Sequence, residues 1–383
     1  MILMDEIMKQ FVPVNEPLLN GNEEKYLVDC IRTGWISSEG PYVKKFEASM
    51  AEIAGRDFGI AVSNGSVALD LAIAALGITK GDEVILPAHT IISCAAAIYR
   101  AGAVPVVVDC CPVTYNMAAD LIREKVNSKT KAIMLVHIFG LPVEVDQIMD
   151  IASEHNLFVI EDAAEAHGLS YKGRPCGSFG DISTFSFYPN KHITTGEGGM
   201  VVTNDPTLAE KCRYYMNLCF NNERRFQHDH LGWNYRMTNL QAAVGVAQIE
   251  QLDKFVKLKR AMGMRYLEGL SDVKHIQLPI KSLDYADNIF WVFPIVLKDS
   301  CHLDSGQLRA LLGEKGVGTR PFFWPIHKQN VFKDDGFFKN VSCPVSENIA
   351  TRGLYLPSGM ALKNSQIDYV IAQVIDILGT TNK

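Results

Sequence analysis

The chain has 383 residues, a mass of 42.5 kDa and a formal net charge of -6, with 48% hydrophobic and 21% charged residues. That is the balance of a globular protein large enough for a sizeable core in one large and one smaller domain, and its acidity, with no basic run, argues against a nucleic-acid binder. Nine cysteines without a CxxC pair read as reduced thiols of a cytosolic protein rather than a disulfide framework.

Residues 1–10 carry Asp5 and Glu6 and lack the basic start of a signal peptide. An arm from Asn15 leads into a helix predicted over 23–32, a hydroxyl-rich loop around Trp35, and a helix over 41–54. Alternation follows, with strands predicted over 59–62, 83–87, 104–109, 132–137, 158–162, 182–187 and 200–203. Helical patterns lie between most of them, over 66–76, 91–101, 118–126 and 143–155. The first five strands are apolar runs too continuous to have a wet face, as expected of parallel strands covered by helices. The most apolar stretch, 90–111, is broken by Arg100, Pro105 and Asp109, so no membrane span is expected and the chain reads as soluble and cytoplasmic. A helical stretch over 238–270 then leads to strands within 276–297 and 352–356 and helices over 304–315 and 365–378. The expected architecture is α/β: a mostly parallel seven-stranded sheet in a large domain, residues 1–250, and a smaller α+β domain, residues 251–383.

Ligands of such sheets bind outside the carboxyl ends of the strands, which makes the residues there the informative ones. The first strand runs into Ser63-Asn-Gly-Ser66, a turn with a plausible N-cap before an apolar helix, and a helix N-terminus suits a phosphate. Neither a Walker motif nor GxGxxG follows any strand. The fifth strand ends at Asp162, where an ionised carboxylate needs a cationic partner. The sixth is followed by Lys191 in a short polar turn before Gly196, Gly198 and Gly199. Alone, that lysine reads as a surface residue. Together the three features match the needs of pyridoxal 5′-phosphate: a helix start for the phosphate, an Asp for the pyridinium nitrogen and a Lys for the aldehyde.

Asn64-Gly-Ser, Glu161-Asp-Ala-Ala-Glu-Ala, Thr184-Phe-Ser-Phe-Tyr-Pro-Asn-Lys, Thr194-Thr-Gly-Glu-Gly-Gly-Met and Gly232-Trp-Asn-Tyr-Arg-Met-Thr, in this order, resemble the DegT/StrS-type nucleotide-sugar aminotransferases. The resemblance implies a fold-type I, pyridoxal-phosphate-dependent aminotransferase. Gly34-Trp-Ile-Ser-Ser-Glu-Gly40, Asn190-Lys-His-Ile-Thr-Thr-Gly-Glu and Thr319-Arg-Pro-Phe-Phe-Trp-Pro-Ile-His327 are most similar to the perosamine-synthase branch. That branch aminates C4 of GDP-4-keto-6-deoxymannose with L-glutamate, releasing 2-oxoglutarate. Carried over residue by residue, Lys191 is the Schiff-base lysine and general acid and base, Asp162 pairs with the pyridinium nitrogen, and Glu165 approaches the ring hydroxyl. Gly65, Ser66 and Ser186 hold the phosphate, and Asn234 reaches the phosphate of a neighbouring subunit, which implies a homodimer with shared sites. The family's stacking aromatic is replaced by Ile91, leaving either Ile91 or His89 at the cofactor's ring face.

The same likeness suggests Trp35, Ser37, Ser38 and His192 near the substrate. Arg320 and His327 flank Phe322-Phe-Trp324 and read either as the rim of a small-domain core or as recognition of the substrate's diphosphate or sugar. His228-Asp-His230 beside Asn221-Asn-Glu-Arg-Arg225 reads as a solvated loop, and no metal site is expected. A dehydratase branch of the family carries histidine in place of the lysine, so Lys191 points to transamination. The alternatives are a dTDP- or UDP-linked keto sugar as substrate, a sugar dehydratase, or a non-catalytic pyridoxal-phosphate sensor.

Overall fold

The computed structural model of the chain describes residues 11–221 and 223–379. The readings of residues 1–10 and of Asn222 lie outside the described residues.

Helices α1 (Glu23–Thr33) and α2 (Pro41–Ala54) precede strand β1 (Phe58–Val62). Helix α3 (Gly65–Ala75), β2 (Glu83–Pro87), α4 (Ile92–Arg100) and β3 (Val104–Val108) follow, then β4 (Thr130–Val136), α5 (Val145–His155) and β5 (Phe158–Asp162). A short hairpin, β6 (Ser170–Tyr171) and β7 (Arg174–Pro175), leads to β8 (Ile182–Ser186) and β9 (Gly199–Thr203). The seven long strands form one sheet in the order β1-β9-β8-β5-β4-β2-β3, in which β9 alone runs antiparallel to its neighbours. Two apolar cores cover its faces: Ile60, Leu86, Met134 and Ile160 point into one, Ala61, Ile85, Ile133 and Val159 into the other. This two-sided burial is why the strands read as continuous apolar runs.

The chain continues through α6 (Pro206–Met216), α7 (Asn239–Ile249) and α8 (Leu252–Leu270). A second sheet then forms from β10 (Ile276–Gln277), β13 (Phe293–Leu297), β14 (Arg320–Pro321) and β15 (Gly353–Leu356), in the order β10-β13-β15-β14, beside the small hairpin β11 (Ser282–Leu283) and β12 (Ala286–Asp287). Helices α9 (Ser305–Glu314), α10 (Pro344–Arg352) and α11 (Asn364–Leu378) complete it. Along β13, Phe293, Ile295 and Leu297 enter a core with α8 and α11, whereas Val296 and the preceding Val292 join the core under the first sheet. A buried carboxylate ties the two sheets together. Asp109, just past β3, accepts from the N–H groups of Val345 (2.9 Å) and Ser346 (2.8 Å) and from the Ser346 hydroxyl (2.6 Å), at the start of α10.

The expected strands all form, with ends shifted by a residue or two. Residues 118–126 do not make the predicted α-helix. They form two 3₁₀ turns, Ala119–Leu121 and Arg123–Lys125, instead. The helix predicted over 238–270 is broken at Glu250 and Gln251, where the Glu250 carboxylate accepts from Asn22 Nδ2 (2.6 Å) and the Tyr26 hydroxyl (2.7 Å) of α1. Helices α6 and α10 were not anticipated; each starts with a proline at its first turn.

Candidate active site

Register brings the strand ends together. Gly199 of β9 lies opposite Val62 of β1 on one side and Ser186 of β8 on the other, so the turn after β1 sits beside the end of β8. A Cβ on Gly199 would fall 2.3 Å from the Asn64 carbonyl oxygen, and one on Gly65 would fall 2.7 Å from Ser186 Cβ. Glycine is required at both places for this close approach. Asn64 caps α3 by accepting from the Val67 N–H at 3.0 Å, and the hydroxyls of Ser66 and Ser93 lie 2.7 Å apart beside it. The result is a helix N-terminus ringed by hydroxyls and small residues.

Asp162 ends β5, in register with Thr184 of the neighbouring β8. It is 2% exposed; Oδ1 accepts from the Ala164 N–H at 3.0 Å and Oδ2 from the Cys94 thiol at 3.2 Å. Among the described residues it has no ion-pair partner. Burial pushes its carboxyl up, against the Ala164 N–H, the Cys94 thiol and the Lys191 charge. Lys191 follows β8 in the turn closed by its own N–H to the Tyr188 carbonyl (2.9 Å). Its Nζ lies 3.8 Å from Glu165 Oε1, and Glu165 Oε2 accepts from the Phe139 N–H at 2.8 Å. Burial raises the Glu165 carboxyl and lowers the Lys191 ammonium, the drop being opposed by Glu165 and then Asp162.

These groups line one cavity of about 880 Å³, together with Ile91, Tyr188, Trp291, Phe323 and Tyr355. Gly65, Ser66, Asp162, Glu165, Ser186 and Lys191, all singled out in the sequence, thus converge. Of the two residues weighed for the ring face, Ile91 stands in the wall and is 41% exposed. His89 is fully buried among Phe139, Phe322 and Phe323 (ring centroids 5.7, 5.5 and 5.7 Å), and burial drives its pKa down to about 4.

The remaining substrate candidates do not line this cavity. His192 is buried, its Nε2 lying 3.4 Å from the Ile289 carbonyl oxygen; the His327 ring pairs with Glu347 at 2.9 Å. Arg320 is exposed, and its guanidinium donates only to the Thr319 carbonyl among the described residues. Trp35, Ser37 and Ser38 lie in the loop that Asn239 pins through the Trp35 and Ser37 carbonyls. Asn234 is exposed, in a backbone bridge with Asn217. His228 and His230 are exposed, on the loop expected to be solvated. Of the cavity wall from far along the chain, Phe323 lies in the aromatic cluster left open between core and substrate recognition, whereas Trp291 and Tyr355 were missed because they sit in apolar runs that look like ordinary core.

Residues 17–375 match the sequence profile of the DegT/DnrJ/EryC1/StrS aminotransferase family. The chain belongs to that family. A GDP-perosamine synthase of Escherichia coli O157:H7 is 42% identical over 365 residues, 95% of this chain and 98% of that protein. A GDP-perosamine synthase of Vibrio cholerae is 40% identical over 359 residues, 93% of this chain and 96% of that one. In three dimensions the chain is similar to the aminotransferase TlmJ from Streptoalloteichus hindustanus, with a TM-score of 0.88 and 30% identity over 95% of this chain and 97% of the other.

The chain is a pyridoxal-phosphate-dependent aminotransferase. Its residues fit the cofactor. A glycine-lined helix start would take the phosphate, the buried carboxylate of Asp162 has among the described residues no ion-pair partner such as a protonated ring nitrogen would supply, and the Lys191 amine lines the same cavity.

Proposed function

We propose that this aminotransferase moves the amino group of L-glutamate to the C4 ketone of a nucleotide-linked 4-keto-6-deoxyhexose, with the GDP-linked sugar of the perosamine synthases as its substrate. The observation that carries this reading is the likeness to GDP-perosamine synthases over nearly the whole of both chains. Amino-sugar synthesis for a surface polysaccharide such as an O-antigen, in the cytoplasm, is the corresponding role.

When bound, pyridoxal phosphate supplies a carbon that takes and gives the amino group and a protonated ring that accepts the electron pair of a broken C–H bond. The N-terminus of α3 at Gly65 and Ser66, with the Ser186 hydroxyl, would hold its phosphate. Asp162 would hold the proton on its ring nitrogen, and Glu165 would meet the ring hydroxyl. Lys191 Nζ would anchor the cofactor and, once free, take the Cα proton of glutamate; with the sugar it would deliver a proton to C4. Burial lowers its proton affinity, the direction a proton-transferring amine needs. A lysine at this position, rather than histidine, favours transamination over dehydration. Ile91 is the wall residue offered to the cofactor's ring face. The exposed Trp35 and Ser37 and the half-buried Ser38 of the loop, Arg320 on its strand, and the buried His192 and His327 are left for the sugar nucleotide or its supporting shell. Asn234, exposed and outside its own chain's cavity, supports a homodimer in which each subunit completes the other's phosphate site.

Product analysis with GDP-, dTDP- and UDP-linked 4-keto-6-deoxy sugars and glutamate tests the reading. The expected product is the 4-amino sugar from the GDP-linked ketone, with 2-oxoglutarate released one for one. Amination of only a dTDP- or UDP-linked ketone would move the assignment to the alternative substrate. A 3-deoxygenated product would replace transamination by dehydration.

A further inference from the structure

Trp291 has no part in the reading above, yet it touches both the reactive lysine and the residue before it. Its ring centroid lies 4.0 Å from Lys191 Nζ, and its Nε1–H donates to the carbonyl of Asn190, the preceding residue, at 2.7 Å. The backbone of Trp291 is held as well. The Trp291 carbonyl accepts from the buried Lys259 Nζ at 2.8 Å, and the same ammonium donates to the Ser358 carbonyl. Trp291 is 2% exposed, so it has little room to turn away.

The bond to Asn190 fixes the backbone from which Lys191 projects. The ring acts on its charge, since an aromatic face attracts an ammonium while leaving a neutral amine nearly indifferent. The other groups near Nζ are Glu165 at 3.8 Å, Asp162, Cys94 and the buried bases His167, His192 and Lys259. The carboxylates favour the ammonium and burial opposes it, and both carboxylates can titrate. The indole cannot, so its contribution is the same at every pH.

We propose that Trp291 is a positioning residue for Lys191: its N–H anchors the turn that carries the lysine, and its ring face favours the charged form of Nζ. This rests on the assignment of Lys191 to the cofactor. It also means that the second sheet, through Lys259 and Trp291, helps set the state of a lysine carried by the first.

Two substitutions separate the effects: Trp291→Phe keeps a ring and loses the N–H, and Trp291→Leu loses both. The full-length protein, freed of cofactor, is labelled with acetic anhydride over a range of pH, and modification of Lys191 is read on its own peptide by mass spectrometry. For Trp291→Leu the midpoint of reactivity should fall by about 0.4–1.5 pH units, with Trp291→Phe staying closer to the unsubstituted protein. Both variants should bind pyridoxal phosphate about five-fold more weakly for loss of the anchor. An unchanged midpoint in Trp291→Leu overturns the proposed action of the ring, whatever happens to stability. Should Trp291→Leu not fold, Trp291→Phe still decides on the anchor, because unchanged cofactor affinity overturns it. A Lys191→Ala protein that still bound the cofactor covalently would instead overturn the assignment of Lys191.

Discussion

Asp162 carries the sharpest residue-scale expectation. Its carboxylate is buried with two hydrogen-bond donors and, among the described residues, no ion-pair partner, an arrangement that costs stability until a positive partner arrives. Asp162→Asn keeps the shape and removes the charge. We expect turnover to fall by roughly 100- to 10,000-fold, because an amide cannot keep the ring nitrogen protonated, while the cofactor-free fold becomes no less stable. Steady-state rates beside thermal unfolding check both halves; undiminished turnover would remove Asp162 from its role. Asp162, Ser66 and Lys191 were legible because charged and small residues at the ends of apolar strands stand out. Cys94, 68 positions from the carboxylate it contacts, was not, since a cysteine in an apolar helix looks like core. The same holds for Trp291, whose neighbours Ile289, Phe290 and Val292 are all buried and apolar.

At the scale of the element, Lys259 on α8 is the buried charge with the clearest pH signature. Burial pushes its ammonium down to about 7. Above that pH the folded chain sheds a proton that an unfolded lysine keeps until about 10.4, so the unfolded state binds more protons across this window. Stability from this group therefore rises with pH between the two values, and below about 7 the cost of burying the charge is present in full. Lys259→Met should flatten the pH dependence of the denaturation midpoint between about pH 7.5 and 10, relative to the unsubstituted chain. Parallel slopes for the two proteins would show that Lys259 does not titrate there. Periodicity placed α8 correctly but ran it together with α7. The break at Glu250 is made by side-chain bonds to Asn22 and Tyr26, more than 220 residues away, which no local pattern encodes. Helix α6 was missed although Asp205 accepts from the Thr207 and Leu208 N–H groups and Pro206 opens the helix.

Across the whole molecule, one cavity is built from both sheets, with β1, β5 and β8 supplying the chemistry and residues near β13, β14 and β15 supplying the aromatic wall. The first contribution follows from strand order, which alternation of strand and helix makes readable; the second depends on how two sheets meet, through contacts such as Asp109 with α10, and has no sequence period. If the proposed dimer shares its sites through Asn234, inactive Lys191→Ala and Asn234→Ala proteins should complement. Mixed after unfolding and refolded together, half of the dimers would carry one intact site, restoring about a quarter of full activity. No recovery in a mixture that does form mixed dimers would place Asn234 outside the partner's site. The proposed chemistry turns on Lys191 in the lining of this cavity. Its most direct test is borohydride reduction of the cofactor-loaded protein followed by peptide mass spectrometry. The expected result is one pyridoxyl group per chain, on Lys191; a pyridoxyl group on any other lysine, or none, would contradict the account.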